Sequence, residues 1–352
     1  MTKPLPPAPI GSFASDNAAG VSPEVLDALA AANVGPALAY GDDPWTRRAE
    51  QALRELFDAP VESLFCWGGT GANVVGLASV LQPWQAVLTT DSAHIVTDEC
   101  GAPARFTGST ITPIPARDGK LAPADLAPYL QWLSSEHHPQ PAVVSITQAT
   151  EMGTLYTVDE IGAICEAAHA RGLVVHLDGA RIANAVVALD TDVPTMLRDT
   201  GVDLLTFGLT KDGAMYGETV VYLRPELAER AVYARKQAGQ LSSKTRYIAA
   251  QVLALLEGDL WLTNAGHANT MATALAKAVQ DVPGVEVPTP PAVNAVFARV
   301  PGAAIAPLQE WSFFWEWDLD ACLVRWMTSF ATTEQDIDRF VAGVRAIVPT
   351  HL

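Results

Sequence analysis

The sequence predicts an α/β protein: a large domain built on a mostly parallel sheet between helices, followed by a smaller α+β domain at the C-terminus. Three observations carry this. Short apolar runs such as AVVSIT (142–147) and LVVHL (173–177) lack the polar alternation of a half-exposed strand, so they read as strands buried on both faces. Segments of helical period lie between such runs, the clearest at 157–171, where Gly172 is the stop signal. Strands alternating with helices give a parallel sheet covered on both sides. Beyond residue 255 the character changes to an alanine-rich helical stretch, then Pro283, Pro288, Pro290 and Pro291, then a run of aromatic residues.

In chain order, residues 1–20 read as an N-terminal arm, extended over its proline-rich positions 2–9. Residues 21–255 form the large domain. Its first strand is 63–67, after which GGTGAN opens a helix that runs through Leu81. Further strands are expected at 86–89, 142–147, 173–177, 203–207 and 220–223. The small domain, 256–352, holds a helix at 269–279, a strand in NAVFARV (294–300), the aromatic run WSFFWEW (311–317) and a strand in CLVRWM (322–327). A last helix starts from Thr332 or Thr333 as its N-cap.

Composition narrows the partners. The chain has 352 residues and is 49% hydrophobic, enough for a substantial core. Lys plus Arg is 22 against 39 Asp plus Glu, a net charge of −17 with no basic block. Nucleic acid and anionic membrane are poor partners for such a surface, whereas a few local arginines can still hold a small anion. No run of about 18 apolar residues exists, so no transmembrane helix is expected. MTKPLPPAPIGS has too many prolines and too short an apolar run for a signal peptide. Cys66, Cys100, Cys165 and Cys322 form no C-x-x-C and no zinc pattern; three lie in apolar runs, and all read as reduced thiols of a cytoplasmic protein.

Open α/β sheets hold ligands at the carboxyl ends of their strands, and three polar features fall there. WGGTGAN (67–73) joins a strand to a helix; its glycines let the backbone approach a ligand, and the N–H groups of a helix start favour an anion. The same residues also suit an ordinary tight turn. They lack the Gly-Lys-Ser/Thr ending of a Walker motif, and Val74 stands where G-x-G-x-x-G needs its third glycine, which argues against a nicotinamide dinucleotide. HLDGAR (176–181) puts Asp178 at a strand end with Arg181 three residues on. That is either a salt bridge closing a turn, or a carboxylate holding a proton on a ligand nitrogen beside an arginine fitted to a carboxylate. TFGLTKDGAMYGE (206–218) ends the next strand near Lys211. A buried ammonium is costly, so this lysine reaches solvent, is paired, or is neutral and nucleophilic. An anion cradle, an Asp for a ring nitrogen and a Schiff-base lysine are together the set that pyridoxal 5'-phosphate (PLP) requires.

With these motifs the chain resembles the L-threonine aldolases, most closely their bacterial low-specificity branch, within the fold-type-I PLP-dependent transferase-like enzymes. The resemblance spans nearly the whole chain: FASDN (13–17), AYGDDPWT (39–46), GGTGAN (68–73), AHIVTDECGAP (93–103), ITQATEMGT (146–154), HLDGARIANA (176–185), FGLTKDGAMYGE (207–218), RKQAGQLSSKTR (235–246) and VRWMTSF (324–330). It implies that Lys211 forms the Schiff base, that Asp178 pairs with the pyridine nitrogen, and that His94 stacks on the ring. It further implies a phosphate cradle of Gly68, Gly69 and Thr70 with Asn73, and a substrate-carboxylate site of Ser15, Arg181 and Arg325. Tyr40 and the basic residues of RKQAGQLSSKTR are implied at a subunit interface, in a homo-oligomer that is a tetramer or a dimer. The implied reaction is retro-aldol cleavage of L-threonine, L-allo-threonine and related β-hydroxy-α-amino acids to glycine and an aldehyde.

The chain departs from the commonest pattern at one place. Many members carry E-N-T-H after the strand equivalent to AVVSI; here the stretch is T-Q-A-T, with Thr150 at the histidine position and Glu151 beside it. His94 or water is left as proton acceptor. Glu99, five residues after His94, either orients it or caps a turn. Trp311, Trp315 and Trp317 read as core or interface rather than ligand stackers. His137 and His138 read as solvated, and His169 and His267 as surface residues. No metal site is expected, since no third ligand sits at a suitable spacing. A phenylserine-type aldolase, a β-eliminating lyase and a transaminase are the alternatives on this scaffold. A catalytically silent cofactor-binding scaffold is disfavoured by the presence of Lys211, Asp178 and both arginines.

Overall fold

The continuous apolar runs become the middle of a seven-stranded sheet. In the computed structural model, which describes residues 4–352, its strands are β1 (Glu62–Cys66), β2 (Gln85–Thr90), β3 (Thr110–Ile114), β4 (Gln140–Thr147), β5 (Val174–Gly179), β6 (Leu204–Phe207) and β7 (Glu218–Tyr222), in the order β1-β7-β6-β5-β4-β2-β3. The pairs from β3 across to β6 are parallel, and β7 runs antiparallel to both β6 and β1. Every residue of β6 and β7 is buried, as expected of strands covered on both faces. β3 was not expected: its TITPI sequence is mostly polar or half-exposed and carries Pro113. It sits at the sheet edge, where a proline's missing N–H leaves no ladder bond unmade.

This sheet belongs to the larger of two units, Val21–Thr210 with Ala214–Leu260. Register gives it one polar stripe. Thr147 of β4 pairs with Asp178 of β5, and Asp178 with Thr206 of β6. Ser145 and His176 are paired two residues earlier, and residues two apart share a face. The helix Gly69–Val80 buries Ala72, Asn73, Val74, Val75 and Leu77. The helix expected at 157–171 is Val158–His169, closed at its start by a capping box of Thr157 and Glu160.

The smaller unit comprises the N-terminal segment through Gly20, Lys211–Gly213, and Trp261–Leu352. Its sheet is antiparallel, β8 (Ala295–Arg299), β10 (Leu323–Met327) and β9 (Trp315–Asp318), with β10 in the middle. Phe13, Phe314, Trp326 and Phe340 are fully buried in its core, Phe13 and Phe340 with ring centroids 4.3 Å apart. The proline-rich arm is strapped down: Met327 N–H donates to Phe13 O at 2.8 Å, and Trp311 Nε1–H to Pro6 O at 2.9 Å. The Ile10 and Gly11 N–H groups donate to Asp336 Oδ1 at 3.0 and 2.8 Å. Asp336 also completes the capping box of the last helix, Glu334–Ile347, whose N-cap is Thr333.

The aromatic run divides. Trp311 packs against the core and Trp315 is exposed on the edge strand. Trp317 is neither core nor bare: the Arg325 guanidinium lies over its ring, 4.6 Å from the centroid. His169 and His267 are exposed as expected, yet each is bonded, His169 Nε2 to buried Asp203 at 2.9 Å and His267 Nε2 to Thr332 O at 2.7 Å. All four cysteines are free thiols; Cys66 and Cys165 are buried, Cys322 half-buried and Cys100 exposed. Burial pushes the Cys66 and Cys165 thiols up to about 12, which leaves them inert at neutral pH. Among the described residues no helix is long and apolar enough to cross a membrane, and no group of three metal-ligating side chains occurs.

Candidate active site

Asp178 closes β5 and is buried. Its Oδ1 accepts the Ala180 N–H at 3.0 Å, and its Oδ2 accepts from Asn73 Nδ2 at 2.8 Å. The same Asn73 nitrogen donates to Glu99 Oε1 at 2.7 Å. A helix turns by 3.6 residues, so Asn73, one turn in from the helix start, faces the sheet rather than the opening. Its Oδ1 accepts from Thr206 Oγ1 at 2.7 Å. Its amide nitrogen and oxygen are thus committed to the carboxylates and to Thr206. Before it in the chain lies the backbone of Gly68, Gly69 and Thr70.

That backbone is open. Gly68 is extended at the N-cap, with no side chain capping the helix that begins at Gly69. A Cβ added at Gly68 or Gly69 would meet no atom within 4 Å. Gly71 is the opposite case: a Cβ there would collide with the Gln240 side chain, whose Oε1 accepts the Trp67 N–H at 3.0 Å. The result is an open shelf at a helix N-terminus, beside Thr70, of the kind that holds a phosphate.

His94 starts a short helix after β2. Its Nδ1 lies 2.9 Å from Glu99 Oε1, and its N–H donates to Glu151 Oε1 at 2.9 Å. A carboxylate only accepts, so Nδ1 carries a proton toward Glu99. Glu99 therefore orients His94. Thr147 Oγ1 also donates to Glu151 Oε1, at 2.9 Å, while Glu151 Oε2 is buried with no partner among the described residues. Burial raises the Glu151 carboxyl, and neighbouring Asp178 adds to the rise against the bonds it accepts. Thr150 is buried and its hydroxyl pairs with that of Thr154 at 2.7 Å, so it closes its own turn.

Asp178, Asn73, Glu99 and His94 are thus one hydrogen-bonded group, with the Gly68–Thr70 shelf at the head of the helix that carries Asn73. Arg181 is half-buried and begins the helix Ile182–Ala188 just beyond Asp178. Lys211 lies in the short turn Thr210–Asp212 that follows β6. Tyr40 is exposed on a loop, with Lys236 Nζ 5.3 Å from its ring centroid. Ser15 caps the turn Asp16–Ala18 of the smaller unit by accepting the Asn17 N–H, and Arg325 belongs to β10 of that unit. Thr206, His176 and Glu151 lie inside quoted motifs but were not singled out as site residues. For His176 and Thr206 the signal was present as polar residues in otherwise apolar strands, whereas Glu151 lies in the turn after β4, where no strand period applies.

The chain matches the Beta-eliminating lyase family over residues 12–302. It is 40% identical to a low specificity L-threonine aldolase of a Pseudomonas species over 339 residues, 96% of this chain and 97% of the relative. The solved structure of Leishmania major threonine aldolase matches it with a TM-score of 0.88 at 33% identity, over 96% of this chain and 99% of that one. A mutant of C-DES with glycine covalently linked to its PLP cofactor shares the fold, with a TM-score of 0.68 at 16% identity over 96% of each chain. With a mostly parallel seven-stranded sheet, an antiparallel C-terminal sheet and relatives of this closeness, the chain has the fold of the fold-type-I PLP enzymes and belongs to the Beta-eliminating lyase family, among the low-specificity L-threonine aldolases.

Proposed function

We propose that this chain is a PLP-dependent aldehyde-lyase that cleaves L-threonine, L-allo-threonine and related β-hydroxy-α-amino acids to glycine and an aldehyde, and runs the reverse condensation. The observation that carries the reading is the buried Asp178 carboxylate at the end of β5, fed only by donors. A buried carboxylate needs a protonated partner, and a pyridine nitrogen holding its proton is one. The open shelf at Gly68 and Gly69 fits the phosphate of the same group. When bound, PLP supplies the sink for the electron pair left at the substrate's α-carbon.

The chain's own residues divide the remaining work. Lys211 supplies the amine that ties the cofactor to the protein. Asp178 keeps the proton on the ring nitrogen. The N–H groups at Gly68, Gly69 and Thr70 would hold the phosphate, and His94 would hold the cofactor ring. His94 Nε2 takes the β-hydroxyl proton, since Glu99 holds Nδ1 and Thr150 offers no base. Arg181, Arg325 and Ser15 fix the substrate carboxylate, and that orientation selects the bond that breaks. Tyr40 and the basic residues of 235–246 complete the site of a neighbouring subunit in a homo-oligomer, a tetramer or a dimer. The reduced thiols support a cytoplasmic enzyme.

The test is to incubate the PLP-loaded protein with L-threonine, L-allo-threonine and L-phenylserine. Acetaldehyde or benzaldehyde formed in step with glycine is the expected result. Ammonia with a keto acid, and no aldehyde, would replace this reading with elimination, the chemistry in the name of the matched family.

A further inference from the structure

The buried polar stripe of the sheet does more than fill space. Asn73, Thr206, His176 and Ser145 are each at least nine-tenths buried and each bonded to the next. We propose that Asn73 is a positioning residue that sets Asp178 and Glu99 together through one amide nitrogen, and that Thr206, itself bonded to His176 and through it to Ser145, anchors that amide from behind.

The direction of every bond in the chain follows from what each group can donate. Asp178 and Glu99 as carboxylates only accept, so the Asn73 NH₂ must face them and spends both of its hydrogens there, at 2.8 and 2.7 Å. Asn73 Oδ1 then needs a donor, and Thr206 Oγ1 provides its single proton at 2.7 Å. Thr206, having given its proton, accepts from His176 Nε2 at 3.2 Å. His176 Nδ1 is then the lone-pair nitrogen and accepts from Ser145 Oγ at 2.8 Å. Burial pushes the His176 imidazole well toward its neutral form, against a smaller upward pull from Asp178, so it has one proton to place and places it on Nε2. A reversed amide would turn an oxygen toward two carboxylates and leave both without its hydrogens, so the carboxylates set the amide and Thr206 answers its oxygen. The chain therefore admits one arrangement.

This gives a single residue control over two functions. Asp178 is the partner of the ring nitrogen and Glu99 the orienter of His94, so Asn73 couples cofactor electronics to the position of the proton acceptor. The inference rests on the PLP reading above, and its test separates the two. Apo protein is titrated with PLP, recording the dissociation constant and the absorption maximum of the bound cofactor. The titration is run for wild type, Asn73→Ala, Thr206→Val and Thr206→Ser, with kcat and KM on L-threonine alongside. Thr206→Val keeps the shape and removes only the hydroxyl, so it carries the test even if Asn73→Ala does not fold.

The expected result is weaker PLP binding by tenfold or more and a moved absorption maximum in Asn73→Ala and Thr206→Val. The loss should fall in kcat rather than KM, and Thr206→Ser should return to within about twofold of wild type. Wild-type affinity and spectrum in Thr206→Val would overturn the inference. So would equal damage in Thr206→Val and Thr206→Ser, which would mean packing and not the hydrogen bond. A wild-type protein that binds no PLP would instead sink the underlying reading.

Discussion

The His94 imidazole and the Glu99 carboxylate meet at 2.9 Å through Nδ1 and Oε1, with the ring 44% exposed and the carboxylate fully enclosed. A half-exposed ring joined to a fixed acceptor is oriented without being immured. Replacing Glu99 by Ala leaves the ring free to turn and should lower kcat by roughly 10- to 100-fold, as loss of an orienting partner commonly does. Steady-state kinetics on L-threonine at saturating PLP would check it, and unchanged kcat would reduce Glu99 to a turn-closing residue.

Lys211→Ala should lose nearly all turnover, by about 10³-fold or more, while still folding. Borohydride reduction of the PLP-loaded wild type should mark the peptide that contains Lys211, read by mass spectrometry. A mark on any other lysine would refute the assignment.

Gly69→Val adds bulk where nothing lies within 4 Å. The fold should be little affected, with a cost of about 1 kcal/mol or less at a helix start. PLP affinity should drop by at least tenfold, because the added side chain occupies the shelf. Thermal unfolding without PLP and a PLP titration together decide it; intact affinity would place the phosphate elsewhere.

Glu151 is a carboxyl whose native pKa is raised, chiefly by burial. The native state then holds its proton to higher pH than the unfolded chain does, so its contribution is full below the ordinary carboxylate value. Stability falls as pH rises through the raised native value. Glu151→Gln retains an oxygen for the His94 N–H and the Thr147 hydroxyl and cannot ionise. Urea midpoints from mildly acidic to neutral pH should decline in the wild type and stay flatter in the variant. Parallel curves would contradict the assignment.

Asp336 behaves in the opposite sense. Burial pulls its carboxyl upward, but the Gly11 N–H, the Thr333 hydroxyl and N–H, and the Ile10 N–H outweigh it and lower the native pKa. Its stabilisation is present above the ordinary carboxylate range and lost as pH falls through the native value. Asp336→Ala removes a helix cap and the two arm bonds and should cost about 2–4 kcal/mol at neutral pH. The gap from wild type should close in acid. A variant unfolding at the wild-type denaturant midpoint at neutral pH would show the strap to be idle.

Much of this was legible in the chain, for physical reasons that differ by residue. β5 and β6 announced themselves because strands buried on both faces must be apolar throughout. HLDGAR stood out because it sets a carboxylate, with an arginine three residues on, at the end of such a strand, although a turn-closing salt bridge would read the same. β3 was hidden, since an edge strand with Pro113 has neither alternation nor a continuous apolar run. β9 was seen as aromatic but not as a strand, for it is half-exposed and short. Asn73 was placed with the cradle by the resemblance, as part of GGTGAN. Its actual partner, Asp178, is 105 positions away, and no local pattern encodes that contact. Glu99 was close enough in sequence to His94 for both of its readings to be named, and the 2.9 Å contact chose between them.

The strap between the arm and the last helix ties residues 325 and 326 positions apart, and Phe13 sits in a core otherwise made from the C-terminal third. On the ribosome, where synthesis is vectorial, Ile10 and Gly11 must wait for a partner made 326 and 325 positions later. The seven-stranded sheet has all its strands by Tyr222 and can form while the chain is still growing. The smaller unit can close only once the helix Glu334–Ile347 has been made. A truncated nascent chain would therefore expose Phe13 and its neighbours as an unsatisfied apolar segment, a natural hold for a chaperone until the helix Glu334–Ile347 arrives.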